Sequence, residues 1–265
     1  MTTLRYRLTM PAVLLAVTAA AGFSTARGDD EIDRAAFVAA RSPSLVTVKF
    51  VMKIKMGGND REQEGEVTAV MIDPKGIVLC SNTQLGGISA AMRRMMQSDI
   101  RVTPSELKVL IGDDTEGIDA ELVARDSELD LAWVRIKDVG ERELDAVDLG
   151  NSAKVKIGQR IMTVRRMGKF FARTIVMGEG RLAGIAKKPR ELYIPDGNVG
   201  AALGLPIYAA DGKILGVTIV QMPDSADMGG FSSFQNTAAL VILPAADVAK
   251  ATKRALASVE ADEGG

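Results

Sequence analysis

From residue 45 onward the chain is written in short runs of Val, Ile and Leu separated by turn residues, a pattern that predicts strands. Residues 45–56 are rich in Val, Ile and Lys and are broken by Gly57-Gly58-Asn59-Asp60. Residues 66–73 follow, then the turn residues Pro74-Lys75-Gly76, then 77–80, which together predict a hairpin. Residues 107–111, 118–124 and 131–136 continue the series, with Gly112-Asp113-Asp114 as a further turn. A second cluster begins near Gly158 and contains 160–164, 173–177, 181–185, 213–221 and 238–243 before Pro244. The period then changes. Val248, Ala251, Thr252, Ala255, Leu256 and Val259 share one helical face, so a C-terminal helix is expected. No long amphipathic stretch separates the strands, which argues against a parallel sheet with crossover helices. Two clusters of short strands followed by a helix predict an all-β molecule of two packed β-barrels, joined near residues 137–155.

The N-terminus carries a different signal. Arg5 and Arg7 precede an apolar stretch from Pro11 to Phe23, and Ser24-Thr25-Ala26 supplies small residues for a cleavage site. The stretch is shorter than the ~20 residues a spanning helix needs. A signal peptide over 1–26 is expected, and with it an exported protein, periplasmic or secreted, with no stable membrane span after cleavage. Residues 27–43 read as a polar segment whose Ala-rich part has room for one or two helical turns. The barrels then occupy 44–257: the first about 44–137, a linker 138–155, the second about 156–244, and a helix 245–259. Residues 260–265 form a tail.

Composition narrows the chemistry. Of 265 residues, 47% are hydrophobic and 25% charged, and the formal net charge is −1, so no bulk attraction to nucleic acid is implied. Aromatic residues make up 4%, too few for a platform on which bases stack. Basic clusters occur at Arg93-Arg94, at Arg165-Arg166 with Lys169 and Arg173, and at Lys187-Lys188 with Arg190. They read as solvated faces. Cys80 is the single cysteine, so no internal disulfide forms, and the preceding Ile77-Val78-Leu79 predicts a buried, inert thiol. The chain contains no histidine. That excludes a Ser-His-Asp or Cys-His hydrolase mechanism and leaves no ordinary zinc ligand set, so no metal is expected. Asp113, Asp114 and Glu116 lack the spacing of a calcium-binding loop and fit a hairpin turn. Neither a phosphate loop nor a dinucleotide fingerprint occurs, so no cofactor is expected.

Three segments, in order, resemble the trypsin-like serine proteases of the HtrA/Deg type. Val70-Met71-Ile72-Asp73-Pro74-Lys75-Gly76-Ile77-Val78-Leu79 is similar to the strand-turn-strand that leads into the family's Thr-Asn-x-His segment. Residues 118–126 followed by Leu129-Asp130-Leu131-Ala132-Trp133-Val134 resemble the stretch that bears the triad aspartate. Pro206-Ile207-Tyr208-Ala209-Ala210-Asp211-Gly212-Lys213-Ile214-Leu215-Gly216-Val217 resembles the strand-turn-strand after the family's G-N-S-G-G-P-L segment. Leu149-Gly150-Asn151-Ser152 is similar to the inter-barrel connection, and residues 240–244 to the strand lining the specificity pocket. The likeness runs from about residue 42 to 257. It implies two six-stranded β-barrels of trypsin-like fold with a C-terminal helix.

The same likeness assigns the active positions. The family's histidine falls on Thr83, its aspartate on Asp130 and, counting back from Pro206, its serine on Leu203. Threonine cannot take a proton from a hydroxyl near neutral pH, and leucine offers no nucleophile. The family's Gly-Asn-Ser-Gly-Gly is replaced by Ala201-Ala202-Leu203-Gly204-Leu205, which weakens the loop that aims backbone N–H groups at an oxyanion. Asp130, with no imidazole to orient, reads as a structural carboxylate. The expectation is therefore a pseudoprotease: an inactive homologue, exported, that binds a protein or peptide partner in the cleft between its barrels. Candidate lining residues are Thr83, Asp130, Leu203 and Gly204, with Leu240, Val241 and Ile242 on the pocket strand. Many relatives carry a peptide-binding domain after the protease domain. None is read beyond the terminal helix, so the partner is expected to meet the barrels, their loops or residues 29–42. Two alternatives stay open. One is a hydrolase with a relocated site, for which Ser232 or Ser233 with a lysine would be the raw material; the other is a holdase that shields unfolded chains. Met92-Arg93-Arg94-Met95-Met96 reads as helix-face core in preference to an adaptable peptide patch. Oligomerisation is left open.

Overall fold

The structure, a computed structural model, describes residues 32–56, 59–88, 101–199, 202–222 and 239–263. The chain divides before Asp33. Met1–Ile32 is a unit of its own, of which only Ile32 is among the described residues, and Asp33–Gly265 is the other. The expected signal peptide, Met92 to Met96, Ala201, Ser232 and Ser233 lie outside the described residues.

In the second unit, β1 (Leu45–Met56), β2 (Asn59–Asp73), β3 (Ile77–Ser81), β4 (Arg101–Ile111), β5 (Ile118–Asp126) and β6 (Leu131–Ile136) close into a barrel in the order β1-β2-β3-β6-β5-β4. A second closed barrel follows the linker. It contains β7 (Arg160–Arg166), β8 (Ile175–Ala186), β9 (Leu192–Gly197), β10 (Pro206–Ala209), β11 (Ile214–Gln221) and β12 (Ala239–Pro244), ordered β10-β11-β12-β9-β8-β7. Every strand pair in both barrels is antiparallel. The reading of the sequence as two six-stranded β-barrels with a C-terminal helix is what the molecule shows.

The alternation of the strands explains the first core. Val46, Val48 and Phe50 on β1, Val78 and Cys80 on β3, and Ala132 and Val134 on β6 point into the same interior. The second core gathers Ile161, Leu182, Val199, Ile207, Leu215 and Ile242. β3 and most of β6 break the alternation and are buried on both faces. Leu79 and Trp133 point away from the first interior, and the indole Nε1 of Trp133 donates to Thr252 Oγ1 of the C-terminal helix at 3.0 Å.

That helix, α2 (Ala245–Glu263), lies against β5, β11 and β12 and buries Val248, Ala251 and Ala255. It thus touches strands of both barrels through the face the sequence predicts. The polar N-terminal segment forms α1 (Arg34–Arg41). Its start is capped by the Asp33 carboxylate, which accepts from Ala36 N at 2.9 Å. α1 packs on the second barrel: Phe37 meets the Tyr208 ring edge-on at 5.7 Å, and Arg41 lies over the same ring while donating to Gly212 O at 2.8 Å. Arg34 and Arg160 both grip Glu179, and the hydrogen bond from Arg34 is the main cause holding that carboxyl below its ordinary pKa.

Candidate functional site

The seam between the barrels is built around Asp130. It opens β6 from a left-handed conformation (φ 54°), a region that Asp tolerates better than most residues but at some cost in strain. The preceding turn is fixed by Asp126, whose Oδ1 accepts from Glu128 N and Leu129 N, both at 3.0 Å. Asp130 is 2% exposed, and both its oxygens are occupied. Oδ1 accepts from Thr83 N at 2.7 Å; Oδ2 accepts from Ser81 Oγ at 2.9 Å and from Val220 N of β11 at 3.2 Å. One carboxylate therefore holds the loop after β3 and reaches across to the second barrel.

The loop itself is a wound turn. Asn82 N donates to Asp130 O, Leu85 N to Ser81 O, and Gly87 N to Asn82 O. Leu85 drops into the first core, while Arg125 clamps the outside by donating to Asn82 Oδ1 at 2.7 Å and Leu85 O at 2.9 Å. Burial lowers the pKa of Arg125 from its ordinary value, with the neighbouring Cys80 acting in the opposite sense. Cys80 is fully buried. Burial above all, with the negative charge of Asp130 adding and Arg125 opposing, pushes its thiol up to about 12. A thiol with that pKa stays protonated near neutrality and is no nucleophile.

Thr83 is exposed at the surface of this turn. On the facing barrel Leu203 is half-buried between Ala202 and Gly204, which are both buried. Gly204 adopts φ 78°, and a β-carbon there would stand 2.5 Å from Ser81 N, so only glycine lets the two barrels approach this closely. Gly204 N donates to Thr218 O at 2.7 Å and Thr218 N returns the bond to Leu205 O at 3.0 Å, which pins the loop to β11. Val220, the Asp130 donor, pairs with Leu240 on β12. The fold therefore brings the Thr83 turn, Asp130, the Leu203–Gly204 loop and the Val220–Leu240 pair to one seam.

Not every expected lining residue reaches solvent there. Leu240 is 43% exposed, but Val241, Ile242 and Asp130 are buried, and both Asp130 oxygens already accept hydrogen bonds. Ser81, Arg125 and Val220, which hold the seam, were not singled out from sequence. Ser81 and Arg125 lie within or beside the quoted motifs, whereas Val220 acts through its backbone and leaves no sequence signal. The acidic turn is a turn: Asp114 accepts from Glu116 N and Gly117 N. Among the described residues no group of three or more His, Cys, Asp or Glu side chains is placed to hold a metal ion, and no helix is long and apolar enough to cross a membrane. The basic clusters are not uniformly solvated. Arg173 forms a two-pronged pair with Glu66 of the first barrel (2.7 and 3.3 Å), Arg166 is half-buried, and Arg165 and Arg190 are also only partly exposed.

Comparison with known proteins places this architecture. The fold is similar to that of Deg5, with a TM-score of 0.55 at 18% identity over 82% of this chain and 90% of that one. It is also similar to a serine-to-alanine variant of the HtrA-type protease AlgW with a tripeptide, with a TM-score of 0.54 at 18% identity over 83% of this chain and 62% of that one. No curated protein sequence matches significantly. The family model described as a trypsin-like peptidase domain matches residues 67–217, more than half of the chain, a span that contains Thr83, Asp130 and Leu203. With both barrels, their strand order and that match in agreement, this chain belongs to the trypsin-like peptidase domain family.

Proposed function

We propose that this chain is a non-hydrolytic member of its family, exported by the signal at residues 1–26, that works by holding a protein or peptide at the seam between its barrels. The observation that carries the reading is the use made of Asp130. In a working triad the carboxylate orients an imidazole. Here the chain has no histidine, and both Asp130 oxygens are taken up by Ser81, Thr83 and Val220 in bracing the two barrels. The position that would supply a base is the exposed Thr83, and the position that would supply a nucleophile is the apolar Leu203. The pKa of Cys80 removes the thiol as a substitute.

What remains at the seam is suited to contact. Leu203 and the exposed Leu240 offer apolar surface beside backbone that is firmly held, so an extended peptide with apolar side chains is the ligand class that fits. Binding of fluorescent apolar peptides to the full-length protein, followed by anisotropy, tests this. Leu203→Glu and Leu240→Glu should each weaken binding by about tenfold or more, because each places a charge against an apolar ligand. Wild-type affinity in both variants would sink the assignment of the seam.

A further inference from the structure

A pocket lies away from this seam. Asp130 stands at the end of the first barrel where β3 finishes and β6 begins. At the other end, where β1 starts and β4 finishes, the linker after β6 and the end of β7 enclose a pocket of about 240 Å³. Its apolar wall is made by Val46, Met71, Ile111 and Leu144. Its one cation is Arg166, the last residue of β7.

Arg166 is out of keeping with the other arginines of its cluster. Arg173 is paired with Glu66, and Arg165 donates to the Met167 sulfur. The Arg166 guanidinium makes no hydrogen bond or ion pair with any described residue, and its buried Nε has no partner. Burial pushes its pKa down, Asp113 acts against this at longer range, and Arg173 adds to it. A half-buried guanidinium with a planar fork of unused donors is matched by a carboxylate. The exposed rim carries the opposite charge, Glu143 and Asp145, which repel a bare polyanion and favour a ligand that presents a cation or an amide N–H outward. The volume is below the ~300 Å³ at which sites for drug-sized ligands begin, and suits a single residue.

We infer that this pocket binds an apolar α-amino acid unit through its free carboxylate, with the carboxylate on Arg166, the side chain against Val46, Met71, Ile111 and Leu144, and the nitrogen toward Glu143 and Asp145. Two sources share that chemistry, a free apolar amino acid and the last residue of a polypeptide. Calorimetric titration of the full-length protein with L-leucine, N-acetyl-L-leucine and L-leucinamide separates them. Leucinamide, which lacks the carboxylate, should not bind. Comparable binding of leucine and N-acetyl-leucine assigns the chain end; binding of leucine alone assigns the free amino acid. Arg166→Gln should lower the affinity by about tenfold or more. Leu144→Trp, which fills the pocket from the half-buried linker, should abolish binding even if the arginine variant proves unstable. The inference is overturned if neither carboxylate ligand binds at millimolar concentration, if leucinamide binds as well as leucine, or if the folded variants keep wild-type affinity.

Discussion

Asp130 braces the seam between the barrels through both of its carboxylate oxygens. A buried carboxylate is tolerated when its oxygens are hydrogen-bonded, and here three donors from two barrels serve both of them. Removing it leaves Ser81 Oγ, Thr83 N and Val220 N facing one another without an acceptor. Asp130→Ala should therefore cost about 3 kcal/mol of stability, read from the midpoint of a urea unfolding curve. A loss well under 1 kcal/mol would mean that the carboxylate braces nothing. The left-handed φ of Asp130 adds to the case, since strain at that position persists only where surrounding contacts hold it. Cys80, a few atoms away, is a group with latent chemistry silenced by burial.

At the scale of elements, the C-terminal helix joins the parts that the seam depends on. Its Thr252 accepts the indole N–H of Trp133 on β6, directly after the turn that presents Asp130. Thr252→Val strands that buried donor and should lower stability by about 1–2 kcal/mol, with the intrinsic fluorescence of the single tryptophan reporting the unfolding. An unchanged midpoint would remove the helix from the account. Legibility of the strands in the sequence followed burial. β1 and β6 could be read to the residue because β-branched and apolar runs there end at abrupt turn signals. β2 begins at Asn59, well before the expected start at 66, because its polar first half pairs with β1 as an exposed ribbon that has no core to fill and so no apolar period to show; Lys53 and Glu62 face each other there. β8 was expected as two pieces, with glycines between them. It is one strand, and Gly178 and Gly180 are where the backbone of residues 196–198 comes too close for a side chain. β9 was missed because Lys-Lys-Pro-Arg precedes it and Pro195 interrupts it, a loop signature that the register shift in β8 accommodates.

Over the whole molecule, the barrels are tied by Asp130 to Val220, by Glu66 to Arg173 and by Thr68 to the Arg166 carbonyl, so the two-barrel frame of the family is intact. The strand-turn-strand segments that frame the seam were legible because turn residues between apolar runs spell them out in the sequence. The Arg166 pocket was not, since it forms from the mouth of one barrel, a linker and a strand end of the other, and no local pattern encodes that meeting. The central claim is the absence of hydrolysis. The most direct test incubates the full-length protein with unfolded casein and a serine-reactive fluorophosphonate probe. The account predicts neither fragmentation of casein nor specific labelling; casein cleavage together with labelling at one serine would contradict it.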